Sequence, residues 1–149
     1  MTPAIFTATF LGALALSLGI HLWLARRQIR HVLAHRDAVP PHFADRITLG
    51  AHQKAADYTV ARSRLSAIDL GVDAAVLLAL TLGGGISVIA GWFAATQWPQ
   101  LAQDVALIVA VGLIAGVLSL PLAWYRTFVI EERFGFNRTT LKVLSLIHI

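Results

Sequence analysis

Ala4 to Ala25 is an unbroken run of 22 residues without a formal charge. As a helix rising about 1.5 Å per residue, such a run crosses a hydrocarbon core of about 30 Å. Lipid offers the backbone no hydrogen-bond partners, so a spanning segment of this kind must satisfy itself as a helix. The rest of the chain agrees: 57% of its 149 residues are hydrophobic and only 13% are charged, with a mean hydropathy of +0.71. These values belong to a membrane protein rather than a soluble domain. A cleaved signal peptide would carry its positive charge ahead of the apolar run. Here Arg26, Arg27 and Arg30 follow it, which reads as a retained anchor with its N-terminus outside.

Two more apolar stretches follow. Asp69 to Phe93 is rich in Leu, Val and Ala and is interrupted by Gly83-Gly84-Gly85; Val105 to Trp124 carries Gly112 and Gly116 at G-x-x-x-G spacing. Three adjacent glycines weaken a helix by about 1 kcal/mol each relative to alanine, and in lipid they mark either close packing or local unwinding. Between the first and second runs, Pro40-Pro41 breaks the chain. Phe43, Ile47, Ala51, Ala55, Tyr58, Ala61 and Leu65 then recur every three or four residues, with Arg46, Lys54, Arg62 and Arg64 elsewhere on the wheel. That spacing predicts an amphipathic helix feeding the second span. The fold expected is all-α: three spans, at about 4–25, 69–93 and 105–124, plus this helix.

All 12 Lys and Arg residues fall in two segments, 8 in residues 26–66 and 4 in residues 125–149. The connection from Ala94 to Asp104 has none, but holds Trp98 and Pro99 beside Trp92, residues suited to an interface. The positive-inside rule therefore puts both basic segments in the cytoplasm. Topology accounts for the basic pI of about 10.4 better than nucleic acid does, because the charges flank apolar runs instead of forming an aromatic-interleaved stripe. No nucleic-acid partner is expected.

Candidate chemistry is sparse. The chain has no cysteine, which removes thiolate zinc sites and cysteine nucleophiles. His31 and His35 are four apart, yet Val32 stands where a zinc-peptidase helix of the H-E-x-x-H type has its glutamate, and no third ligand is at hand. No catalytic or metal residue is therefore assigned, and the chain alone is expected to be inactive. Asp69 and Asp73, also four apart, share one helical face near the basic end of the second span. They pair with neighbouring cations or line an intramembrane polar path.

The densest feature is Tyr125 to Thr140. Leu120-Pro121 is expected to end or kink the third span. Tyr125 and Phe128 share a face, and Glu131, Glu132 and Arg133 precede Gly135, a residue suited to the positive φ that ends a helix. Phe136 would anchor the turn, and Asn137 would cap a new start beside Thr139 and Thr140. At Tyr125, Phe128, Ile130, Glu131, Gly135, Phe136, Asn137, Arg138 and Thr140 the sequence resembles the N-terminal membrane region of the type I CAAX prenyl proteases. The run from Gln53 to Arg62 resembles the segment ahead of that family's second span.

The resemblance implies an integral-membrane zinc metalloendopeptidase that processes CAAX-box proteins, a bacterial member of the family at the plasma membrane. Its zinc ligands would lie downstream of the matched region. Zinc is thus implied for the full-length protein, not for this chain, and the implied partners are the lipid bilayer, a C-terminal peptidase domain and a peptide or prenylated-peptide substrate. Tyr125, Phe128, Glu131, Gly135, Phe136, Asn137, Arg138 and Thr140 would dock and shape the cytoplasmic end of the chamber. Residues 1–143 read as the N-terminal membrane domain. Residues 144–149, Leu-Ser-Leu-Ile-His-Ile, depart from the family pattern and read as a truncated or artefactual tail. The alternative from another class is a stand-alone small membrane protein, such as a transporter subunit or assembly factor.

Overall fold

The structure, a computed structural model, describes residues 2 to 135. Phe136, Asn137, Arg138 and Thr140 of the motif, and the 144–149 tail, lie outside the described residues. Every regular element among the described residues is helical: α1 (Pro3–Ala34), a 3₁₀ turn (Pro41–Phe43), α2 (Leu49–Thr81), α3 (Gly85–Ala94), α4 (Gln100–Tyr125) and a π-helical segment (Arg126–Glu131). Among the described residues, two helices are long and apolar enough to cross a membrane, or three if α2 and α3 together form one bent span. The chain is thus an all-α, multi-pass membrane region.

Local chemistry explains most boundaries. Pro3 opens α1, where its missing N–H costs nothing. The helix then runs past the uncharged stretch to Ala34. Thr48 caps α2 by accepting a hydrogen bond from the Ala51 N–H through its hydroxyl, at 3.3 Å. At the triple glycine, Gly84 takes φ +78°, and a Cβ on Gly83 would lie 2.5 Å from the Ala79 carbonyl oxygen. One glycine supplies the backbone angle and the other the space, and the α2–α3 pair bends by 47° there.

The expected amphipathic helix does feed the second span, and the two form one continuous helix, because nothing between Leu49 and Thr81 interrupts the backbone ladder. Its covered face keeps Leu65 of the expected stripe but takes in the neighbouring positions Ala56 and Val60 in place of Ala51 and Ala55. Ala56, Val60 and Leu65 are buried, whereas Ala51 and Ala55 are exposed, and Phe43 and Ile47 lie exposed ahead of the helix. Periodicity locates an apolar stripe, but the partner packed against it chooses which edge is covered. Pro121 likewise does not end its helix, since α4 continues through it to Tyr125. The ladder is relaxed a few residues later, where the π-helical turn begins.

The described residues fall into two compact units. One comprises the chain up to Gly71 together with Tyr125 to Gly135; the other is Val72–Trp124.

Candidate functional site

Within the first unit, the motif segment lies along α2 between Tyr58 and Asp69. At one end the Arg126 guanidinium donates to the Asp69 carboxylate at 3.1 Å. Toward the other end the Phe134 ring meets the Tyr58 ring edge-on, with centroids 5.5 Å apart, the geometry that aromatic quadrupoles favour. Ile130 and Phe134 are buried, as are Ala56, Val60 and Leu65 on α2. An apolar groove of about 230 Å³ remains between them, with Leu65, Ile68, Tyr125 and Val129 among its walls and Arg64 and Arg133 beside them.

The π-helical turn serves this contact. An extra residue per turn between Arg126 and Glu131 shifts the side-chain register. The segment then closes through the Phe134 N–H to the Ile130 carbonyl at 3.2 Å and the Gly135 N–H to the Glu132 carbonyl at 2.9 Å. Gly135 has φ +68°, the left-handed conformation expected of it, and the Lys54 ammonium lies 3.6 Å from where its Cβ would be. An aromatic contact missing from the sequence reading appears here: Phe134, not assigned a role, is a buried anchor. Its only signal was its place immediately before the helix-ending glycine.

A second set of polar contacts ties the turn just after α1 to α2. Arg36 donates from Nε and a terminal nitrogen to the two Asp57 carboxylate oxygens, at 2.8 and 2.9 Å. Its other terminal nitrogen reaches Asp37 at 3.1 Å, which also accepts from Gln53 at 3.0 Å. The Arg36 hydrogen bonds hold the Asp57 carboxyl below the usual carboxylate range; partial burial opposes this, and the charges of Arg36 and Arg133 reinforce it. The Asp57 hydrogen bond in turn raises Arg36. This fork-to-carboxylate pairing fixes direction as well as distance.

The remaining sequence candidates are dispersed. Asp73 belongs to the second unit, exposed at an otherwise mostly apolar groove of about 290 Å³ lined by Val76, Leu80, Val111 and Leu118 among others. The structure gives Asp69 a cationic partner and leaves Asp73 without an ion pair among the described residues. His31 and His35 have ring centroids 4.3 Å apart, but His35 Nδ1 is engaged by the His31 carbonyl at 2.9 Å. Among the described residues no group of three His, Asp or Glu side chains is gathered for a metal, and no buried polar side-chain atom lacks a partner. This donor set does not fit the zinc centre that the family resemblance implies.

Comparisons with known proteins agree on the region. A family described as CAAX prenyl protease N-terminal, five membrane helices, matches residues 28–149. The probable CAAX prenyl protease 1 of Schizosaccharomyces pombe is 27% identical over 149 residues, covering 87% of this chain and 30% of that protein. The CAAX prenyl protease 1 homolog of Caenorhabditis elegans is 27% identical over 135 residues, covering 89% and 29%. The chain therefore spans about 30% of the length of these relatives. No solved structure matches.

Proposed function

Because the chain belongs to the CAAX prenyl protease N-terminal family, we propose that it is the membrane scaffold of a zinc-dependent endopeptidase acting on CAAX-type, prenylated peptide tails, with hydrolysis carried by sequence outside this chain. The observation that carries this reading is the family match across residues 28–149, joined to a motif segment pinned on α2 through Arg126–Asp69 and Phe134–Tyr58. The family description counts five membrane helices, and the described residues hold two or three candidates, so further spans would complete the bundle.

In this reading residues 1–143 form the membrane domain, and the basic segments and the motif face the cytoplasm of a plasma membrane. Tyr125, Phe128, Glu131, Gly135, Phe136, Asn137, Arg138 and Thr140 shape the end of the chamber and dock the peptidase domain. Asp69 braces that segment through Arg126; Asp73 is a polar point on the chamber side of α2. No proton transfer or bond cleavage is assigned to a residue of this chain. Zinc would supply Lewis-acid activation of water in the complete enzyme.

The purified chain, incubated with zinc and a farnesylated CAAX peptide, is expected to give no cleavage. Cleavage sensitive to a chelator would overturn the assignment of hydrolysis elsewhere. In the source DNA, an H-E-x-x-H codon pattern in frame beyond Ile149 is expected, whereas a stop codon at that point would favour a stand-alone membrane protein.

A further inference from the structure

A second, more polar groove lies in the first unit between the C-terminal part of α1 and the middle of α2. Its volume of about 660 Å³ falls within the range of about 300–1,000 Å³ typical of small-molecule sites. Arg27, Gln28 and His31 form the wall from α1, and Arg62, Ser63 and Ser66 the wall from α2. No carboxylate lines it, and among the described residues neither Arg27 nor Arg62 forms an ion pair. Two guanidinium groups facing one concavity without counter-charge repel each other unless an anion enters.

The depth of the groove identifies the kind of anion. Arg27 is the second residue beyond the uncharged run that ends at Ala25, so the groove opens where the hydrocarbon ends. One turn earlier the Trp23 ring lies 5.7 Å from the Arg27 guanidinium carbon, an aromatic–cation pair suited to that boundary. Leu24 and Ala25 form the rim on the apolar side, and the α1 surface beyond them exposes Leu16 and Ile20. A ligand that matches both ends carries a negative head and an apolar tail. Free phosphate has nothing to place against Leu24.

We propose that this groove binds the headgroup of an anionic phospholipid. The phosphate is held by Arg27 and Arg62 through charge-assisted hydrogen bonds, the Ser63 and Ser66 hydroxyls donate to headgroup oxygens, and the start of the acyl chains lies against Leu24 and Ala25. The basic charge that sets topology thereby includes a specific lipid site, separate from the motif segment.

The test uses the whole chain in nanodiscs of phosphatidylglycerol mixed with phosphatidylcholine, with retained lipid counted by native mass spectrometry after extraction. Retention of phosphatidylglycerol over phosphatidylcholine is expected, falling about tenfold in Arg27→Gln/Arg62→Gln beyond the loss from surface charge alone, since both charge-assisted hydrogen bonds to the phosphate are removed. The pair Arg26→Gln/Arg30→Gln removes the same number of charges outside the groove and is expected to show only the smaller loss of general surface attraction. Equal loss in both pairs would reduce the effect to general surface charge, and equal retention of the two lipids would remove it; either overturns the proposal. So would displacement of the lipid by inorganic phosphate alone. Should the double arginine variant lose helicity by circular dichroism, Ser63→Ala/Ser66→Ala gives the second reading, with a several-fold loss expected and no change overturning the site.

Discussion

The two units of this chain are held by different chemistry. The first contains the ion pairs Arg36–Asp57, Arg36–Asp37 and Arg126–Asp69 and the buried aromatic contact of Phe134 with Tyr58. The second has local polar contacts such as Gln100 to Asp104 and Gln103 to the Trp98 carbonyl, and its groove is lined mainly by Val, Leu and Ala. Gly112 and Gly116 have nothing within 4 Å of an added Cβ among the described residues. Apolar faces gain little by meeting one another in lipid, where the surrounding tails are equally apolar. The first unit therefore has specific cross-links of its own, while the second presents mainly apolar side chains.

The largest expected effect that tests this contrast is at Phe134. Truncating it to alanine removes a buried ring and is expected to cost about 3 kcal/mol. Phe93→Ala, which removes the stacked Phe93–Trp98 pair of the second unit, with centroids 6.1 Å apart, is expected to cost about 1 kcal/mol. Denaturation of both variants in the same detergent measures the difference, and equal losses would break the contrast.

A smaller effect is expected from the long-range ion pair. A double-mutant cycle with Asp69→Asn and Arg126→Gln should give a coupling of about 0.5 to 1 kcal/mol, because the pair is half exposed. The same cycle on Gln100 and Asp104, a neutral-to-charged pair within one helix, should give about 0.2 to 0.5 kcal/mol. A larger value for the second pair would reverse the ranking of the two units.

The smallest effect concerns pH. Asp57 has a folded pKa below its unfolded value because of Arg36, so its contribution is present above the unfolded carboxylate pKa of about 3.9 and is lost as pH falls through the folded value. Stability of the wild type should thus decline on acidification below about pH 4 more steeply than that of Asp57→Asn. Melting curves between neutral and acid pH would show it, and parallel curves would detach Asp57 from the acid response.

Several features were legible in the sequence because they are local. The charge-free run up to Ala25 dictates a spanning helix, the Gly83-Gly84-Gly85 break sits where α2 gives way to α3, and Gly135 takes its expected positive φ. The motif from Tyr125 also pointed to the family that the comparisons support. Less legible were features set at a distance. Arg36 and Asp57 are 21 residues apart, and Arg126 and Asp69 are 57 apart; a sequence shows the charges but not which carboxylate faces which guanidinium. Phe134 looked like one aromatic among several until α2 supplied Tyr58.

What the sequence by itself determined is an all-α membrane region with a helix-ending motif, because hydrophobic length and glycine conformation act residue by residue. Only the tertiary structure decided which edge of α2 is covered, that the helix passes through Pro121, and that Arg27 and Arg62 share a groove. Those outcomes depend on which helix packs against which, and packing energy belongs to pairs of surfaces rather than to either segment alone.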